Sequence, residues 1–79
     1  MAKRRVMLKY PEGLIKEPLV GQMVRKFDVM PNIRRARVTE TVGEIALELE
    51  GPEAEIQRAI EWLEISGVLV EPLEGDVVE

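Results

Sequence analysis

Gly43-Glu44-Ile45-Ala46-Leu47-Glu48-Leu49-Glu50-Gly51-Pro52 organises this chain. Ile45, Leu47 and Leu49 fall on one side of an extended backbone, and Glu44, Ala46, Glu48 and Glu50 on the other. That is the period of two of a strand with one buried face. Gly51-Pro52 breaks the strand and opens a helix, because Pro at a first helical position lacks only an N–H that would have no partner there. Glu53 and Glu55 follow, favourable beside the positive end of a helix dipole. Ile56, Ala59, Ile60 and Leu63 recur at i, i+3, i+4 and i+7, a core-facing stripe. Gly67 suits the C′ position that ends such a helix. Val68-Leu69-Val70 reads as a short last strand, stopped by Pro72. Residues 43–72 therefore encode strand, helix, strand.

The same unit is written upstream. Val6, Leu8 and Tyr10 alternate with Met7 and Lys9, so Arg5 to Tyr10 is a half-buried strand closed by Pro11-Glu12-Gly13. A helix starts near Pro18, with Leu19, Val20, Met23, Val24 and Phe27 on one side. Gly21 inside it costs about 1 kcal/mol relative to Ala, and a close approach to the sheet is its expected reason. Met30-Pro31-Asn32 ends the helical stretch. From Ile33 to Glu40 the chain is extended, Ala36 and Val38 on one side and Arg35, Arg37 and Thr39 on the other. Thr41-Val42-Gly43 is a hairpin connection with Gly43 available for a left-handed position.

The order β-α-β-β-α-β, with right-handed crossovers and one shared core, is the α+β ferredoxin-like sandwich: a four-stranded antiparallel sheet with both helices on one face. One domain fills residues 1–79, with its core over about 5–73 and an acidic tail, 74–79, expected to fray. The other sheet face is bare and carries Met7, Lys9, Arg35, Arg37, Ala46, Glu48, Leu69 and Glu71. Arg35 and Arg37 are expected to pair with Glu44, Glu48 or Glu50 on the neighbouring strand, at roughly 0.2–1 kcal/mol per pair. The strand from Ile33 to Glu40 is expected at a sheet edge, where unpaired backbone can recruit a second chain, so a homodimer through the sheet edge or face is a natural outcome.

Composition removes most other functions. The 79 residues, 46% hydrophobic and 33% charged, fit one folded domain. With no Cys and no His, disulfide scaffolds, zinc fingers, iron–sulfur ligation and His-based catalysis are excluded. The 11 basic and 15 acidic residues give a net charge of −4, the wrong sign for a general nucleic-acid binder. The few aromatics, Tyr10, Phe27 and Trp62, lie at core-facing or helical positions rather than on the bare face where RNA-recognition sheets stack bases. Lys3-Arg4-Arg5 with Arg34, Arg35 and Arg37 reads as a solvated charged face rather than a nucleic-acid patch.

Ser66, the only Ser, sits at a helix end, no phosphate-cradling glycine loop is present, and the carboxylates fall on solvent faces. No enzyme activity and no cofactor or metal is expected. No segment approaches the ~20 apolar residues of a membrane span, and the run after MAKRR is too short for a signal peptide, so the expected location is the cytoplasm without membrane insertion.

The run Pro18-Leu19-Val20-Gly21-Gln22-Met23-Val24-Arg25-Lys26-Phe27-Asp28-Val29-Met30-Pro31-Asn32-Ile33-Arg34 resembles the NIL domain, named for an Asn-Ile-Leu triplet. The family's Gly-x-apolar-x-apolar-x-apolar-x-Gly pattern matches Gly43 to Gly51, and the likeness extends through Ala59-Ile60-Glu61-Trp62-Leu63 and Val70-Glu71, covering about Arg5 to Leu73. The resemblance implies a regulatory domain of the kind fused to ATPase subunits of methionine-import ABC transporters. There it binds L-methionine on the cytoplasmic side, pairs through its sheet with the ligand near the interface, and shuts import down. Similar domains stand alone or join ferredoxin modules in sulfur amino-acid metabolism, and this chain is expected to be free-standing.

Carried onto these positions, the resemblance implies ligand contacts from Asn32, Ile33, Val29 and Arg34. Asn32 offers an amide donor and acceptor suited to an α-amino-carboxylate. Ile33 and Val29 offer apolar surface to a thioether. Asn32 can equally cap the loop between helix and strand after Pro31. Arg34 stands where the family has Leu; it can bind a carboxylate, engage a partner, or mark the loss of a methionine pocket. The expected function is a non-catalytic sensor of L-methionine or a related sulfur amino acid, acting as a homo-oligomer with a transporter or sulfur-metabolism partner. The alternatives are a protein-interaction adaptor without a small ligand and, more remotely, an acylphosphatase-like enzyme, whose phosphate loop has no counterpart in Pro11-Glu12-Gly13-Leu14.

Overall fold

In the computed structural model, which describes residues 1–73, the chain runs β1 (Ala2–Tyr10), a 3₁₀ turn (Glu12–Leu14), α1 (Leu19–Lys26), β2 (Met30–Val38), β3 (Gly43–Gly51), α2 (Glu53–Ile65) and β4 (Leu69–Pro72). The expected fraying of residues 74–79 lies outside the described residues. The strands form one sheet in the order β2-β3-β1-β4, every neighbouring pair antiparallel. This is the ferredoxin-like α+β arrangement expected from the order of elements.

The core lies between one face of the sheet and the two helices. Val6 and Leu8 of β1 and Leu47 and Leu49 of β3 meet Leu19 and Met23 of α1 and Ile56, Ala59, Ile60 and Leu63 of α2, all buried. At about 25 cal/mol per Å² of apolar area, this single layer supplies the main driving force for so short a chain. Phe27 and Trp62 join the two helices at their edge, ring centroids 6.1 Å apart, with the Lys26 ammonium 5.7 Å from the Trp62 ring. Ile45, Leu47 and Leu49 thus all pack inward, as their alternation requires.

Two glycines are demanded by geometry. Gly67 adopts φ +108 after α2, its N–H bonding to Glu64 O and that of Val68 to Leu63 O, which caps the last helical carbonyls. Gly51 adopts φ +157, and a Cβ there would lie 2.5 Å from the Asp28 carbonyl oxygen. The end of β3 and the entry to β2 are therefore in backbone contact. Glu55 Oε1 accepts the Asp28 N–H at 2.9 Å, tying the same turn to the first turn of α2.

Several expectations are corrected. Gly21 is exposed and a Cβ there would meet nothing within 4 Å, so no close approach explains it. Gly43 has no positive φ; it is buried, and a Cβ would crowd Tyr10 and Ile15 at 3.1 Å. The β2–β3 turn is held instead by Thr39, whose Oγ1 accepts the N–H groups of Thr41 and Val42 and whose own N–H donates to Val42 O. Met30-Pro31-Asn32 belongs to β2 rather than to a loop, because an edge strand tolerates a Pro with no N–H to donate. β1 likewise begins three residues earlier than Arg5 and pairs with β3 from Ala2 to Tyr10. Pro18 and Pro52 flank their helices as N-caps rather than occupying the first turn.

The candidate site on the edge strand and open sheet face

β2 is an edge strand, and its register contains one irregularity. Ile33 pairs with Leu47 and Arg35 with Ala46, so Arg34 is an inserted residue, a β-bulge. The bulge changes parity. Pro31 and Ile33 lie on the helix side with Leu49 and Leu47, and beyond it Ala36 and Val38 do so with Ile45 and Gly43. Met30, Asn32, Arg35 and Arg37 lie on the open face. The sequence carried a signal for this, since the apolar positions 33, 36 and 38 break the period of two between 33 and 36.

The four expected site residues do not share one surface. Val29 is a core residue with 7% exposure, just before β2. Asn32 is exposed on the open face directly across from Glu48, so it is not a loop cap. Ile33 lies on the other face, near the sheet edge, and is 55% exposed. Arg34 is the exposed bulge residue between them. Met30 and Val38 are exposed on the same strand, so β2 presents three large apolar side chains beside its unpaired backbone edge.

The open face is ordered in rows by the register. Asn32, Glu48 and Arg5 form one, Arg35, Ala46, Met7 and Glu71 the next, and Arg37, Glu44, Lys9 and Leu69 the last. Arg5 Nε donates to Glu48 Oε2 at 3.2 Å, the side chains being only 23% and 15% exposed. Lys9 Nζ meets Glu71 Oε1 at 3.2 Å. The pairs expected from Arg35 and Arg37 do not form: the bulge sets Arg35 across from Ala46, β1 takes Glu48, and among the described residues neither guanidinium has a carboxylate within 4.0 Å. Between these side chains lies a depression of about 270 Å³ lined by Met7, Arg35, Arg37, Glu44 and Ala46. Reading the sequence alone missed it, because it exists only where small Ala46 is surrounded by long neighbours from three strands.

A second cleft of about 170 Å³ lies on the helix side, between the start of α1 and the hairpin end of the sheet, with Tyr10, Ile15 and Val38 among its walls. Burial raises the Tyr10 phenol above its ordinary value of 10.0, because the charged form would lose hydration. Among the described residues no three His, Cys, Asp or Glu side chains are grouped to hold a metal ion, and no helix is long and apolar enough to cross a membrane. Ser66 is the C-terminal cap of α2.

The fold and this face can be compared with known proteins. The NIL domain model matches residues 4–72. A methionine import ATP-binding protein MetN 1 of Listeria innocua is 40% identical over 62 residues, 73% of this chain and 18% of the relative. A methionine import ATP-binding protein MetN 2 of Acinetobacter baylyi is 39% identical over 59 residues, 70% of this chain and 17% of the relative. The chain thus spans less than a fifth of the length of these curated relatives. Among solved structures, the C-terminal domain of an ABC transporter ATP-binding protein from Enterococcus faecalis superposes with a TM-score of 0.82 at 26% identity, covering 92% of this chain and 86% of that one. With the family model matched from β1 to β4, this chain belongs to the NIL domain family.

Proposed function

We propose that this chain is a non-catalytic regulatory module that binds L-methionine or a related sulfur amino acid and acts as a homo-oligomer in the cytoplasm, coupled to a methionine importer or another protein of sulfur amino-acid handling. The observation that carries the reading is the family match over residues 4–72, together with relatives whose names specify methionine import. The exposed Asn32 on edge strand β2, in the position of the family's Asn, supports it further. Its amide can donate to a carboxylate and accept from an ammonium. Arg34 stands on the bulge where the family has Leu, two residues along the strand from Asn32. Ile33 leaves apolar surface exposed on the opposite face at the strand edge, and Val29 backs the strand from the core.

Pairing of two copies through β2 is supported by its free edge and by Met30, Ile33 and Val38, apolar side chains that a single copy leaves exposed. A ligand near such a junction biases assembly only to the extent that it binds one arrangement better than the other. Those same exposed residues are what favours the second reading, an adaptor that docks a partner without any small ligand.

Isothermal titration of the chain with L-methionine, L-leucine and L-norleucine, paired with light scattering, tests the reading. The expected result is binding of L-methionine, a tenfold or greater loss in Asn32→Ala, and a mass of twice the 9.0 kDa chain that responds to ligand. Absence of heat and of any thermal shift with all three amino acids discards the sensing role. A mass shift produced by a partner protein alone would favour the adaptor.

A further inference from the structure

The depression over Ala46 is bordered by two guanidiniums, Arg35 and Arg37, that have no carboxylate within 4.0 Å among the described residues. Arg35 and Arg37 are two residues apart on one face of β2, hence about 6.6 Å apart along the strand, close enough for both side chains to reach one group between them. The chain carries a net charge of −4, so an excess of cations does not explain their lack of carboxylate partners among the described residues. On the same face Arg5 and Lys9 are matched by Glu48 and Glu71.

We propose that this depression receives the head group of a free α-amino acid, with Arg35 and Arg37 on its carboxylate, Glu44 on its ammonium, and its side chain over Met7 and Ala46. The inference rests on the amino-acid reading above and adds residues outside the Asn32–Arg34 run. Planar guanidinium groups bind carboxylates through paired, charge-assisted hydrogen bonds. Glu44 stands across from Arg37 on β3, so a dianion would be repelled at one end and a simple amine at the other. A zwitterion meets the right sign at both. The floor is apolar: Ala46 is 7% exposed, and the Met7 thioether is polarizable and adapts to aliphatic or sulfur-containing chains. A volume of about 270 Å³ falls just below the ~300–1,000 Å³ range of pockets for drug-sized ligands, the scale of a single amino acid. Asn32 lies one row away, across from Glu48, which is two residues along β3 from the floor.

The test is an amide-resolved NMR titration of the full chain with L-methionine, L-methioninol (no carboxylate) and N-acetyl-L-methionine (no ammonium). Wild type, Arg35→Ala and Ala46→Leu are compared. L-methionine is expected to shift the amides of Met7, Arg35, Arg37 and Ala46. Each derivative is expected to bind at least tenfold more weakly, and both variants to lose at least tenfold in affinity. Arg35→Ala alters an exposed side chain, so it remains informative if filling the floor with Leu disturbs the sheet. L-methionine binding with its shifts elsewhere, or unchanged within twofold in Arg35→Ala, overturns this inference and leaves the sensing reading standing. No response of any amide to L-methionine overturns both.

Discussion

Gly51→Ala separates a structural demand from a mere preference at one position. The new Cβ would lie 2.5 Å from the Asp28 carbonyl oxygen and 3.4 Å from Val29 Cα, both backbone atoms, on a residue with φ +157. Backbone cannot swing aside as a long side chain can, so the end of β3 must separate from the entry to β2. Overpacking of this kind costs ~1–3 kcal/mol and a backbone conformation disfavoured for Ala a similar amount, so a net loss of about 2–4 kcal/mol is expected. For a chain of this size, whose whole stability is roughly 4–12 kcal/mol, that lowers the melting midpoint by ~10–25 °C. Gly21→Ala is the matched control. There a Cβ meets nothing within 4 Å, and helix propensity favours Ala by about 0.5–1 kcal/mol, so the midpoint should rise by ~2–8 °C. Thermal melts of both variants by circular dichroism decide the matter. A Gly51→Ala midpoint within a few degrees of wild type would refute the argument that this contact is rigid.

Leu47→Ala removes a fully buried side chain from the core between sheet and helices and should cost ~2–5 kcal/mol in urea unfolding, enough to leave a large unfolded fraction. Deleting Arg34 should be tolerated to within about 1 kcal/mol, because Ile33 and Arg35 already face opposite sides and would then follow each other in a regular ladder. NMR contacts between Asn32 and Glu48 and between Arg35 and Ala46 should both survive, and loss of either set would show that the bulge shapes the whole strand. Tyr10 has its folded pKa raised by burial, so the folded state holds its proton more tightly than the unfolded state does. That contribution is complete below 10.0 and is lost as pH rises through the folded value. Melting midpoints should therefore fall more steeply above pH ~10 in wild type than in Tyr10→Phe, and parallel curves would remove Tyr10 from the account.

The layered fold was legible because each element carries its own period. Leu47 and Leu49 alternate with glutamates, Ile56 to Leu63 recur at helical spacing, and Gly67 and the prolines punctuate the ends; these are local preferences that agree with one another. The bare sheet face followed from that alone, since two helices can cover only one side. The candidate residues were legible only as a family pattern: Asn32, Val29, Ile33 and Arg34 were expected together, whereas the fold puts Asn32 on the open face, Val29 in the core, Ile33 on the opposite face and Arg34 in a bulge.

What the amino-acid order determined by itself, then, is which side of each strand and helix is apolar, and hence the two-layer sandwich. Tertiary structure alone decided the pairing of β2 against β3. One inserted residue there puts Arg35 and Arg37 on the open face, Arg35 across from Ala46, while the β1–β3 register gives Glu48 to Arg5 and two guanidiniums border a hollow. Register is a relation between strands, set by how both pack on shared neighbours, so no single strand's pattern contains it.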